Sequence, residues 1–253
     1  MMLTGDVELI EGLPVAHIRS IGALAVSDLH LGYEGALAKN GVFLPNANLR
    51  SILDILSRAL SGRQIEKLIV VGDIKNEFSG VENAELNELN DLLSFLKSRG
   101  VSLILIKGNH DNFIESYSKH LNITVHRDPV MIGTYLFVHG DKKLPATAMD
   151  TKPLTLIIGH EHPSIGIPTK IRGVERLRCF LYGDYKENKF STKILVLPAI
   201  GYFETGIDIN LHRSARAVPS LLGPKAQESL TAIAIGYGST INFGKVGKLR
   251  RLA

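Results

Sequence analysis

Five short runs of unbroken apolar character punctuate the first part of the chain: ALAV (23–26), LIVV (68–71), VSLILI (101–106), TYLFV (134–138) and LTLII (154–158). Runs this short, rich in Val, Ile and Leu and lacking polar alternation, predict strands buried on both faces. Between the first three the spacing turns helical. Leu49, Ile52, Leu53, Leu56 and Leu60 share one face over about 46–61, with Pro45 ahead, Asn46 or Asn48 available as a cap, and Gly62 at the end. Leu86, Leu89, Leu93 and Leu96 do the same over about 82–99, closed by Gly100. A shorter helix is predicted near 112–120. Strand, helix, strand, helix, strand implies parallel pairing through right-handed crossovers.

Past about residue 163 the texture changes. RLRCFLYGDY, STKILVLPAIG, LTAIAIGYG and STINFGKVG read as strands joined by short turns with little helix between them. That half predicts a mostly antiparallel or mixed sheet. Two sheets packed face to face with helices outside, a four-layer α/β/β/α sandwich, is the economical α/β architecture. The expectation is one domain over 1–253, with a motif-bearing half to about 162 and a second-sheet half from about 163.

The chain has 253 residues, enough for a sizeable core. No apolar run reaches the roughly 18–20 residues of a membrane span, so no membrane role is expected. The N-terminal MMLTGDVELIEG carries Asp6, Glu8 and Glu11 where a secretion leader needs cations. The single cysteine, Cys179, forms no internal disulfide, and a cytoplasmic location is expected. The net charge of +4 hides a polarity: residues 162–253 hold 14 Lys+Arg against 6 Asp+Glu, while residues 1–161 hold 15 against 19. The basic half keeps a nucleic-acid or nucleotide partner in play.

The chemistry sits after the apolar runs. ALAV leads into SDLHLG, with Asp28 and His30; LIVV into GDIKN, with Asp73 and Asn76; VSLILI into KGNHD, with Asn109, His110 and Asp111; TYLFV into HGD, with His139; LTLII into GHEH, with His160 and His162. Loops at the carboxyl ends of strands converge on the binding crevice of α/β sheets. Carboxylate, imidazole and Asn carbonyl donors without thiolate suit two divalent ions, with Mn²⁺ the leading choice and Fe, Zn²⁺ or Mg²⁺ accepted. Asp28 and His30, two apart on an extended strand end, project alike and can chelate one ion. Asp73, with two oxygens, can bridge two.

In order and spacing these motifs resemble the calcineurin-like metallophosphoesterase superfamily, and DLHLG, ALAKNGVFLP and GHEHP are similar to small SbcD-related phosphoesterases of archaea and bacteria. The resemblance implies one ion held by Asp28, His30, Asp73 and His162 and a second by Asp73, Asn109, His139 and His160. It implies that His110 is a catalytic histidine, with Asp111 as its orienting partner, and that a metal-bound hydroxide attacks the phosphorus of a phosphoester in line. Asn76 departs from the His that nuclease members commonly carry there. Lys39 and Lys142 are candidate substrate contacts, and Tyr33 and Phe78 can stack on a base or shield the metals. The terminal GKVGKLRRLA is a basic tail, and His17, His120, His126 and His212 have no assigned role. A non-catalytic metal-binding scaffold of the same fold is the alternative function.

Overall fold

The structure is a computed structural model that describes all residues except 128, 170–172, 212–219 and 253, together with every side chain of the described residues except those of residues 119 and 252. His212 therefore lies outside the described residues. The first sheet holds β1 (Val7–Leu9), β2 (Ala16–Ile18), β3 (Ala23–Val26), β4 (Lys67–Val71), β5 (Ser102–Ile106) and β6 (Thr124–His126), in that spatial order. From β3 to β6 the pairing is parallel, while β1 and β2 form an antiparallel edge. Helices α1 (Tyr33–Lys39), α2 (Asn48–Leu60), α3 (Asn83–Lys97) and α4 (Glu115–Leu121) fall between these strands.

The second sheet begins with β7 (Val130–Ile132), β8 (Tyr135–Val138) and β9 (Thr155–Ile158), and α5 (Ala146–Met149) separates the last two. It continues with β10 (Pro163–Pro168), β11 (Val174–Glu187), β12 (Phe190–Val196), β13 (Ile207–Asp208), β14 (Thr231–Gly236) and β15 (Ser239–Lys245). Two further helices, α6 (Pro224–Glu228) and α7 (Val246–Leu252), cover it. Its order is β13-β10-β11-β12-β9-β8-β7, with β14 joining β11 to β15. The expected division near residue 163 is thus too late, because β8 and β9, two of the five motif strands, belong to the second sheet. They read like the first three because they too are buried on both faces and pair in parallel.

Strand alternation explains the four layers. In β3, Ala23 and Ala25 face one way and Leu24 and Val26 the other; in β8, Tyr135 and Phe137 oppose Leu136 and Val138. Ala23, Ala25, Ile69 and Val71 meet Tyr135, Phe137, Ile157 and Leu195 in the layer between the sheets. Leu24, Val26, Leu68 and Val70 pack on Ile52 and Leu56 of α2 and on Leu89 and Leu96 of α3. On the opposite outside face Leu136, Val138, Leu156 and Ile158 are covered by α5, α6 and α7, through Ala148, Ala226, Val246 and Leu249. Residues 246–252 of the basic tail form helix α7. Its Arg250 is tied back, with Nε donating to the Ile209 carbonyl at 2.7 Å and Nη2 to Gln227 Oε1 at 3.0 Å.

The α2 start departs from expectation. Neither Asn46 nor Asn48 caps it; Glu34 Oε1, reaching over from α1, accepts the N–H groups of Ala47 and Asn48, both at 2.8 Å. A carboxylate there also suits the positive end of the helix. Asn48 is freed for another task. Its Nδ2 donates to the carbonyls of Leu29 and His30 at 3.0 and 2.9 Å, and its Oδ1 accepts the Tyr202 N–H at 2.7 Å.

Candidate metal centre

The five strand-end loops meet at one edge of the seam between the sheets. The Ser27 carbonyl accepts the Ile200 N–H at 2.9 Å and the Asp28 carbonyl accepts the Gly201 N–H at 3.1 Å, stitching the β3 loop to the chain after β12. From this convergence come two clusters of donor atoms, Asp28 with His30 and His162, and Asp73 with His139 and His160. Within each, the three donor atoms lie within 4.8 Å of one another.

The backbone delivering these donors is unusual. Asp28, His30, Asp73, His160 and His162 all have left-handed φ, between 39° and 61°. Asp28 and His30 therefore meet through consecutive turns and not, as expected, along an extended strand end. Left-handed backbone is tolerated by Asp and His better than by β-branched residues, and it concentrates at functional sites. Glycine is required at two neighbouring positions. A Cβ on Gly108 would overlap Asp73 Oδ1, and one on Gly72, itself left-handed, would overlap the His139 ring.

Each cluster pairs a buried carboxylate with a gripped imidazole. His139 Nδ1–H donates to the Val71 carbonyl at 3.1 Å, leaving Nε2 at 3.2 Å from Asp73 Oδ2 and 2.9 Å from Asn109 Oδ1. His162 Nδ1 is held by Glu204 Oε2 at 3.1 Å, leaving Nε2 at 3.0 Å from Asp28 Oδ1. One ring nitrogen anchored and the other presented is the usual state of a metal-ligating histidine. Burial alone would lower the His139 and His162 imidazoles, but Asp73 and Asp28 beside them outweigh it and raise both to about 10. Burial likewise opposes ionisation of Asp28 and Asp73, yet His162 and His139 hold both carboxyls below the usual range.

His30 is different. It is 5% exposed, both ring nitrogens are buried without a hydrogen-bond partner, and burial lowers its pKa. A neutral buried imidazole with both nitrogens open is costly unless a bound group takes one of them. With hard carboxylate and borderline imidazole donors around it, the cluster fits a divalent cation.

His110 lies at the same cleft, its ring 4.8 Å from that of His30 and its Nε2 3.8 Å from Asp73 Oδ2. Its Nδ1–H donates to the Asn76 carbonyl at 2.6 Å, and Phe78 packs on the ring at a centroid distance of 3.6 Å. The loop supplying that carbonyl is itself fixed. Glu85 Oε1 accepts the Asn76 N–H at 3.0 Å, and the buried Lys75 Nζ bonds the carbonyls of Glu77 and Gly80.

Asp111 does not orient His110. Its fully buried carboxylate accepts four backbone N–H groups, those of Asp73 and Gly108 on Oδ2 at 2.9 and 2.8 Å, and those of Ile74 and Lys75 on Oδ1 at 3.0 and 3.3 Å. The two residues are adjacent in sequence, but the turn sends their side chains apart. Burial and the neighbouring Asp73 charge push the Asp111 carboxyl up to about 6. Lys39 and Lys142 also have other partners, Glu82 at 2.5 Å and Asp141 at 3.3 Å, and both are largely exposed. Tyr33 stacks on Phe203 with centroids 4.9 Å apart.

The residues missed from the sequence are Glu204, Asn48 and Glu161. Glu204 follows ILVLPAI, an apolar run ending in a Gly-bounded loop, so the rule that found the other five loops would have found it. Glu161, buried between the paired histidines, is tied to Ser220 and to Gln227 Nε2.

A family model for calcineurin-like phosphoesterases matches residues 23–194, which takes in all five motif loops. Among solved structures, the nuclease MPE of Pseudomonas putida aligns with a TM-score of 0.63 at 19% identity, over 94% of this chain and 100% of that one. Yfce, a phosphoesterase from E. coli, aligns with a TM-score of 0.36 at 14% identity, over 85% and 88%. No curated protein sequence matches. The first alignment shows a shared fold, and the family match covers more than half of the chain; this protein belongs to the calcineurin-like phosphoesterase family and is a metal-dependent hydrolase of phosphoester bonds.

Proposed function

We propose that the protein is a dinuclear-metal phosphodiesterase acting on nucleic acid or nucleotides, within the SbcD-related branch of the family. The observation that carries this reading is the pair of adjoining donor clusters, each joining a buried carboxylate to two histidines, with His110 beside both. One ion would be held by Asp28, His30 and His162 and the other by Asp73, Asn109, His139 and His160, with Asp73 reaching both. Mn²⁺ is the leading candidate for each. Two such ions, when bound, would supply Lewis-acid polarisation of the phosphoryl oxygens and would lower the pKa of a water.

The protein's own groups do the rest. The Asn76 carbonyl keeps the proton of His110 on Nδ1, so Nε2 faces the cleft, where it can accept a proton and return it to a leaving oxygen. Glu204 and the Val71 carbonyl hold His162 and His139 in register. Phe78 screens the His110 ring from water on one face. A panel of a phosphomonoester, a phosphodiester, a cyclic nucleotide and single- and double-stranded DNA, run with each metal, tests the reading. Diester cleavage with Mn²⁺ is expected, and no turnover of any substrate with any metal would leave only the scaffold alternative.

A further inference from the structure

A cavity of about 430 Å³ opens on the flank of the molecule, away from the donor clusters. Its charged lining is Arg58, Arg176 and Arg178 against one carboxylate, Asp54. Two of these guanidiniums are clamped from behind. Arg178 donates through Nε to the Glu204 carbonyl at 3.0 Å and through Nη2 to those of Gly201 and Tyr202 at 2.5 and 3.0 Å. Arg176 grips Asp208 through Nε and Nη2 at 3.0 and 3.1 Å. The Nη1 group of each makes no hydrogen bond to another described residue. Arg58 stands at 3.8 Å from Asp54 and is half exposed. Preordered guanidinium forks with spare N–H groups match the oxygens of a phosphate.

The cavity adjoins the loop that carries Glu204. Thr205, on its wall, follows Glu204, whose carboxylate holds His162. Helix α2 starts at Asn48, bonded to the carbonyls of Leu29 and His30, and then presents Ser51, Ile55 and Arg58 to the cavity. At 1.5 Å per residue, Asn48 to Arg58 spans roughly 15 Å. Tyr202, 52% exposed, links Asn48 to the cavity: its N–H donates to Asn48 Oδ1, its carbonyl accepts from Arg178 of the cavity wall, and its ring is set edge-on to Phe203. A flat, fixed, half-exposed aromatic is a stacking surface for a base.

We propose that this cavity is a distal phosphate subsite for a single nucleic-acid strand. The scissile phosphate would lie at the donor clusters, a base on Tyr202, and a phosphate roughly two or three nucleotides away on Arg58, Arg176 and Arg178. The inference rests on the phosphodiesterase reading and narrows its substrate to a polynucleotide.

The test is anisotropy of a fluorescent single-stranded oligonucleotide of roughly ten nucleotides, titrated with the full-length chain in EDTA over a range of salt. Arg58→Glu is expected to weaken binding roughly tenfold and to reduce the slope of log affinity against log salt by about 0.7. Arg58→Gln should fall between this and wild type. Arg99→Glu, a control at the far end of α3 where the guanidinium lies on Phe95, should change affinity less than twofold. Equal losses from Arg58→Glu and Arg99→Glu, or no loss from Arg58→Glu, would overturn the subsite. A second readout compares kcat/KM for the oligonucleotide with that for bis(p-nitrophenyl) phosphate, which is too short to reach the cavity. Arg58→Glu should lower the ratio about tenfold, and an unchanged ratio overturns the subsite. A wild-type protein inactive on both substrates defeats the phosphodiesterase reading instead, and the binding comparison still decides the subsite.

Discussion

Replacing Asp111 by Asn separates two roles that sequence adjacency alone confuses. Both carboxylate oxygens accept pairs of backbone N–H groups, from Asp73 and Gly108 on one side and from Ile74 and Lys75 on the other. An Asn amide presents an acceptor to one pair and an NH₂ group to the other, so two buried N–H donors lose their partner. At about 1–3 kcal/mol for each buried unsatisfied group, the loss is about 2–6 kcal/mol. Removing a buried charge that faces Asp73 offsets part of this, because burial and that repulsion already push the Asp111 carboxyl up to about 6. The expected net cost is about 2–3 kcal/mol, or a fall in Tm of roughly 5–10 °C for a chain of this size. The bonds span the turns carrying Asp73 and Asn109, so divalent-metal affinity should fall about 10- to 100-fold as well. Thermal unfolding in EDTA and calorimetric Mn²⁺ titration measure the two effects. If Asp111 instead served His110, Tm and metal affinity would match wild type while kcat alone dropped, and that result would refute the reasoning.

Three other outcomes follow from the same geometry. His110→Ala should keep its metal content while kcat on a diester falls roughly 10²–10⁴-fold, the usual size of a lost acid–base group; metal loss measured by emission spectroscopy would count against this. Glu204→Gln takes the carboxylate from His162 Nδ1, so metal affinity should drop about tenfold or more with little change in Tm, measured by titration and by melting in EDTA. Asp6 accepts from the Ser20 N–H at 2.7 Å, from the Ser20 hydroxyl at 2.6 Å and from the Tyr135 hydroxyl. Burial would raise the Asp6 carboxyl, but these bonds hold it below its usual value, so its contribution is present above about pH 4 and fades as pH falls through the lowered pKa. Urea midpoints should therefore separate Asp6→Asn from wild type at pH 7 and draw together as pH falls through the lowered pKa, whereas a constant gap would show that ionisation of Asp6 is not what stabilises the contact.

What could be read from the chain depended on where the physics is local. Strands buried on both faces leave a continuous apolar signature, so β3, β4, β5, β8 and β9 were legible to within a residue or two, and the polar residues after them were legible as a convergent set. Strands β1 and β2, three residues each, are too short for any period to show. Sheet membership was not legible either, because β8 looks the same whether it extends the first sheet or opens the second. Asn48 shows the limit at the level of one residue. Its position before an amphipathic run favours a cap, yet Glu34, fourteen residues earlier, takes that place and leaves the Asn amide to bridge two catalytic loops. Glu204 was hidden for the opposite reason: its loop obeys the strand-end rule, but it carries no histidine to draw notice.

Each donor cluster is divided between the two sheets. Asp28 and His30 come from the first sheet and His162 from the second, while Asp73 comes from the first and His139 and His160 from the second. Neither cluster is complete on one sheet, so each exists only when the two sheets are docked through the layer of Ala23, Ala25, Tyr135 and Phe137. Across this seam His162 Nε2 lies 3.0 Å from Asp28 Oδ1 and His139 Nε2 lies 3.2 Å from Asp73 Oδ2. A cation that binds the docked state and not the separated one adds RT ln(1 + [L]/Kd) to docking, about 2.7 kcal/mol at a hundredfold excess over Kd. The left-handed backbone at Asp28, His30, Asp73, His160 and His162 is held by the packing behind it, and a bound cation would hold it from the front. Metal affinity and sheet docking are one equilibrium in this fold. A substitution deep in the inter-sheet layer should therefore weaken metal binding without touching a ligand.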